Sequence, residues 1–208
     1  MASYVPRKEY FYSWRIDGDT LTLKISDYIE GCPGGVLSDL CEMVCRRARK
    51  MDWSESDRYV GYLRSDEFIL RNRSEYIRRS RNLIRSDVGE HADLMDSVQR
   101  LLDSGMLMPD DIRNSYMSWT NSDSRRRVGF CSTMFRVVGI SAALDDPEIP
   151  DFVRDYVVYH ECLHLRQGYR PSHRHHDGVF RSWEHSFPEW RDAENILRRL
   201  RRGIFYPL

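Results

Sequence analysis

Apolar and polar residues alternate along residues 10–26, YFYSWRIDGDTLTLKIS, with a break at Asp17-Gly18. That period of two is the mark of half-buried strands, and Asp-Gly suits the tight turn between them, so the stretch predicts a β-hairpin. Gly31, Pro33, Gly34 and Gly35 mark a loop. Beyond it the period lengthens. In VLSDLCEMVCRRARK, Val36, Leu37, Leu40, Val44 and Cys45 fall on one face of a helix. Residues 51–65 hold neither period. A second helix is predicted over 66–85 and a third over 91–103, stopping at Gly105, while Pro109-Asp110-Asp111 marks a turn or helix start.

Strands are predicted over 116–120 and 134–143, with the basic, turn-rich NSDSRRR between the first of them and Gly129. Pro147 and Pro150 introduce a helix running to about Gln167, and Gly168 suits its left-handed end. A loop rich in His, Arg and Pro leads to a short helix near 177–186 and a longer one over 188–202. Strands at separated places, with helices between and after, predict an α+β fold. Residues 1–90 are expected to form an N-terminal hairpin and helical accessory region, and residues 91–208 the main domain, the whole one compact unit.

Composition narrows the classes. Hydrophobic residues make up 41% of the 208, with only 8 Pro and 12 Gly, which excludes a disordered, collagenous or low-complexity chain. No apolar run approaches the roughly 18 residues of a membrane span. MASYVPRKEYFYSW lacks the apolar segment of a secretory signal, so a cytoplasmic location and no membrane contact are expected. Five cysteines without a Cys-x-x-Cys suggest neither a disulfide framework nor a zinc ribbon, and Cys41 and Cys45 read as buried thiols on a helix.

The 32 basic residues balance 32 acidic ones, which argues against a strongly basic nucleic-acid surface. Lys8, Lys24 and Lys50 are the only lysines, leaving 29 arginines, a bias that codon usage explains most simply. On the 66–85 helix Arg71, Arg78 and Arg85 would align at seven-residue steps with Arg81 beside them. A solvated face is the simpler reading. As function, such a stripe implies weak, salt-sensitive contact with DNA phosphates.

The chemistry concentrates later. His160-Glu161-Cys162-Leu163-His164 is an H-E-x-x-H inside the predicted 150–167 helix. Residues four apart lie about 40° apart around a helix, so both imidazoles can reach one metal ion. Glu161 sits beside the first ligand, placed to take a proton from water activated by the metal. Five of the seven histidines, His160, His164, His173, His175 and His176, fall within 17 residues. A catalytic zinc site needs a third protein ligand and one open position. The candidates are His173, His175 and His176, with Glu184, Glu189 and Glu194 beyond, and spacing does not choose among them. His91 and His185 read as cap or surface residues.

Between Trp119 and Leu200 the chain resembles the SprT-like and YgjP-like zinc metallopeptidases, small members of the zincin group. The resemblance rests on Arg127-Val128-Gly129-Phe130-Cys131, Ile140-Ser141, Leu144-Asp145-Asp146-Pro147-Glu148-Ile149-Pro150, the H-E-x-x-H, His176-Asp177-Gly178-Val179-Phe180 and Phe187-Pro188, in that order. It implies a small zincin-like fold, a short antiparallel or mixed sheet packed on the active-site helix. It implies a peptidase acting on a protein or peptide substrate, with Zn2+ held by His160, His164 and His176 and with Glu161 as general base. His175 is the one-residue alternative to His176. It also implies that the strand around 136–142 is the sheet edge beside the cleft, where an extended peptide adds as a strand. Phe180, Trp183 and Phe187 are then spaced to pack the following helix on the metal helix. Some SprT-like relatives act on proteins attached to DNA, and Arg125–Arg127 and Arg198–Arg202 fit that idea. The competing class is a DNA- or protein-binding module with a closed, structural metal site, its fourth ligand a second histidine or Glu184.

Overall fold

The hairpin at Asp17-Gly18 forms in the computed structural model, which describes residues 2–10, 12–171 and 175–204. Its strands are β2 (Tyr12–Asp17) and β3 (Thr20–Ser26), and Gly18 takes the positive φ of 55° that the turn requires. β1 (Ala2–Val5) lies parallel to β3 on its other side, giving the order β1-β3-β2. Four residues are too few to display a period, so β1 is not legible in the sequence.

Three helices follow: α1 (Gly34–Ala48), α2 (Asp57–Arg64) and α3 (Asp66–Arg79). Ser56 caps α2, its hydroxyl accepting from the Tyr59 amide, in the stretch that held no period. α1 buries Val36, Leu40, Met43 and Val44. Cys45, one position past Val44, is turned about 100° from that face and is exposed, and Cys41 is half-buried, so they are not the buried pair expected.

α3 ends at Arg79 rather than running to residue 85, with Ser80 as its last half-turn. Arg85 has a positive φ of 64° and lies outside any helix. Arg71 donates to the carbonyls of Glu30 and Gly31, and Arg78 forms a fork with Glu75 at 2.6 Å. The four-arginine stripe expected over 71–85 therefore does not form. Arg79 instead ties the unit together: it donates to Asp27 (2.8 Å), Glu75 and the Arg7 carbonyl, and lies over the Tyr28 ring.

The chain divides into two compact units, Met1–Ser80 and Arg81–Leu208. The expected boundary at residue 90 falls inside the second unit. Residues 83–92 belong there for two reasons. Ile84 donates to the Trp119 carbonyl and Trp119 to that of Ser86. In addition, the Asp145 carboxylate accepts the successive backbone amides of Glu90, His91 and Ala92.

The second unit comprises α4 (Leu94–Asp103), α5 (Pro109–Ile112), β4 (Tyr116–Trp119), β5 (Gly129–Ser132), β6 (Val137–Ile140), α6 (Asp151–Gln167), α7 (Gly178–Glu184) and α8 (Trp190–Arg201). The sheet order is β4-β6-β5, with β4 parallel and β5 antiparallel to β6. The buried Val137–Ile140 strand is thus central, not the edge expected around 136–142. The outer side of β4 is covered by residues 83–86, which leaves β5 as the open edge of this sheet among the described residues. β5, Gly-Phe-Cys-Ser, carries too little apolar alternation to be seen in advance.

α6 is buried on almost every side, which explains its weak amphipathic pattern. It packs against α4, α5, α7, α8, β5 and β6. Gly168, with φ 72°, ends it, its amide donating to the His164 carbonyl at 3.0 Å. Charged anchors fix its position. Asp155 pairs with Arg100, and Arg166 forks onto Asp111 at 2.7 and 3.0 Å and donates to the Met106 carbonyl. No described helix is long and apolar enough to cross a membrane.

Burial acts to raise the Asp111 carboxyl, but the Arg166 fork and the Met108 amide outweigh it and hold the carboxyl below the usual range. A carboxyl depressed in the folded state stabilises the fold above its unfolded pKa, about 3.9. That contribution is lost as pH falls from there through the folded value. Asp111→Asn is expected to cost about 2–3 kcal/mol at neutral pH, measured by urea unfolding. It should also flatten the acid limb of the stability curve. An unchanged midpoint at neutral pH would contradict this anchoring role.

Candidate metal centre

α6 carries His160, Glu161 and His164 in its last two turns, and its helical spacing aims both imidazoles outward from one face. The third imidazole comes from the loop before α7. Asp177 caps α7 by accepting from the Phe180 amide at 2.9 Å, and Arg170 donates to its second oxygen at 3.2 Å. This cap fixes the residue before it, His176. Phe180, fully buried, lies against all three rings, its centroid 5.3 Å from that of His160, 4.6 Å from His164 and 4.7 Å from His176. Phe187 packs edge-on against Tyr156 and tilted against Tyr159, holding the segment after α7 to α6.

One ring nitrogen from each of His160, His164 and His176 lies within 4.8 Å of the other two. Nε2 of His164 and Nε2 of His176 are 3.1 Å apart. Two nitrogens each about 2.0–2.1 Å from a tetrahedral ion lie about 3.3 Å apart, so the spacing fits a shared zinc. Protonation fits as well. Burial, together with the charges of His160, His176 and His175, depresses His164 to about 3, so its lone pair is free at neutral pH. His176 is lowered by burial and by His160. Burial would lower His160 too, but a hydrogen bond from Nδ1 to Glu184, at 2.7 Å, and nearby carboxylates raise it. That bond places the proton on Nδ1 and leaves Nε2 as the donor to a metal.

Glu161 is 6% exposed and turned toward β5. Burial pushes its carboxyl up to about 7, a rise limited by His160 and Arg127. A carboxyl with that value can both accept and return a proton near neutral pH.

The other candidates are placed elsewhere. The His175 ring is 6.2 Å from that of His164 and outside the convergent group, and His173 lies outside the described residues. Glu184 stands behind His160 rather than among the donors, and also accepts from the Tyr156 hydroxyl. Glu194 accepts from that same hydroxyl, and Glu189 precedes the first residue of α8 without a side-chain bond to its amides. The Tyr159 hydroxyl donates to the Trp183 carbonyl. His185 stacks on Trp190, and the His91 amide bonds Asp145. Three donors, not four, therefore converge among the described residues.

Sequence reasoning named Glu184 only as a rival ligand. The signal for its actual place was its position four residues after Phe180, on the same face of α7. Glu184→Ala is expected to weaken zinc binding by about 10–100-fold, read by competition with a chromophoric chelator. Unchanged affinity would remove it as the partner that orients His160.

Compared with models of protein families, with curated proteins and with solved structures, the chain matches none of them.

Proposed function

We propose that the chain is a zinc-dependent metallopeptidase of small zincin-like fold, acting on a protein or peptide substrate. The observation that carries this reading is the convergence of His160, His164 and His176 beside the buried Glu161. Among the described residues three donors converge, the number that a catalytic zinc site uses while keeping a fourth position open. When bound, zinc would supply Lewis-acid activation of water and of the scissile carbonyl. Glu161 takes the proton of the attacking water and returns it to the leaving nitrogen, a double duty that suits a carboxyl raised to about 7. Glu184 holds His160 in the ligating tautomer, and Phe180 fixes the orientation of all three rings.

The substrate lies along β5. Ser141 donates to the Val128 carbonyl, so by antiparallel alternation the backbone groups of Gly129 and Cys131 face the open edge. An extended peptide added there passes beside Glu161. All five cysteines are free thiols, the state a reducing cytoplasm maintains, and we place the enzyme there.

The test is proteolysis of casein by purified, zinc-loaded protein, with and without duplex DNA. Hydrolysis that a chelator stops and added zinc restores is the expected result. A fully loaded protein that cleaves nothing would favour a structural metal and overturn the reading.

A further inference from the structure

The side chain of Glu161 rests on bare backbone. A Cβ added at Gly129 would stand 2.6 Å from Glu161 Oε1, 2.9 Å from its Cγ and 3.0 Å from its Cδ. Carbon atoms pack at about 3.5–4.0 Å, so none of the three distances accommodates a methyl group. The clash reaches from Cγ to the carboxylate, so rotating the carboxylate alone does not relieve it. Glu161 is also buried on a helix packed on nearly every side, which leaves little room to retreat.

The backbone does not itself call for glycine here. Gly129 pairs regularly with Ile140 in an antiparallel ladder, and its φ lies outside the positive range occupied by Gly18 and Gly168. Glycine inside a strand weakens it, and a close approach is the usual compensation. The neighbours of Gly129 in β5 carry side chains, and its missing one is what lets the strand edge meet the carboxylate.

We infer that Gly129 is a positioning residue: by lacking a side chain it lets the open edge of β5 close onto Glu161 and sets the carboxylate against the strand that receives substrate. The catalytic half of this inference rests on the metallopeptidase reading, whereas the steric half does not. Glu161 is not among the convergent donors, so a methyl at position 129 disturbs the base without removing zinc.

The test is a cycle of Gly129→Ala, Glu161→Ala and the double variant, followed by thermal melting, zinc content and kinetics. Gly129→Ala is expected to keep one zinc per chain, to lower kcat by about 10²-fold for a base misplaced by about 1 Å, and to change KM little. It should also lower the melting temperature in the wild-type background and not in the Glu161→Ala background, where the space is vacated. Should Gly129→Ala fail to fold, the double variant is still expected to fold and to melt no lower than Glu161→Ala. Wild-type kcat in Gly129→Ala, or an equal loss of melting temperature in both backgrounds, overturns the inference. If the wild type itself hydrolyses no peptide, the functional reading fails, and the melting cycle alone decides whether Gly129 seats Glu161.

Discussion

Glu161→Gln is expected to retain one zinc per chain and to lower peptide hydrolysis by about 10²–10⁴-fold, the usual worth of a positioned general base. The amide has the shape of the carboxylate, so it fits the same seat beside Gly129. Its nitrogen and carbonyl oxygen cannot take a proton from water near neutral pH. The three imidazoles do not depend on it, since Glu184 orients His160 from the far side. Metal analysis and initial rates on the same preparation check both halves. Wild-type turnover in the Gln variant would exclude Glu161 as the base, and loss of zinc would make it a ligand.

His164→Ala is expected to lose stoichiometric zinc and all metal-dependent activity. Its ring lies 4.9 Å from that of His176 and 5.2 Å from that of His160, and those two are 5.2 Å apart, so each ring supplies one corner of a nearly equilateral triangle. Two imidazoles alone do not make a competent site. A ligand present at 100 to 1,000 times its Kd stabilises a fold by about 2.7–4.1 kcal/mol. That zinc-dependent increment in melting should vanish in His164→Ala. His176→Ala should behave in the same way, and His175→Ala should keep its metal. The opposite pattern for the last two would move the third ligand by one residue.

The site was more legible in the sequence than the sheet beside it. Helical spacing alone places His160 and His164 together, and Pro150 and Gly168 bound their helix. Among the later histidines spacing left the choice open, and the family resemblance pointed to His176. The structure gives that position a local cause, the Asp177 cap that begins α7. β5 was hidden because four residues, one of them glycine, carry no period, and the identity of the open edge depends on residues 83–86 covering β4. The basic run at 78–85 kept a helix-like composition. The chain leaves the helix at Ser80 because Leu83 and Ile84 are captured by the β4 edge, a tertiary contact that local propensity does not contain. Glu184 was visible only as a carboxylate near the histidines; its role is set by how α7 lies on α6.

The proposed metallopeptidase depends on three histidines holding one zinc ion with a position left for water. X-ray absorption at the zinc edge of the reconstituted protein tests it most directly. One zinc per chain is expected, with three imidazole nitrogens and one further light atom, all at about 2.0–2.1 Å. His164→Ala should abolish that signal and Glu161→Gln should leave it unchanged. A shell of four protein ligands, or sulfur at about 2.3 Å, would contradict the account.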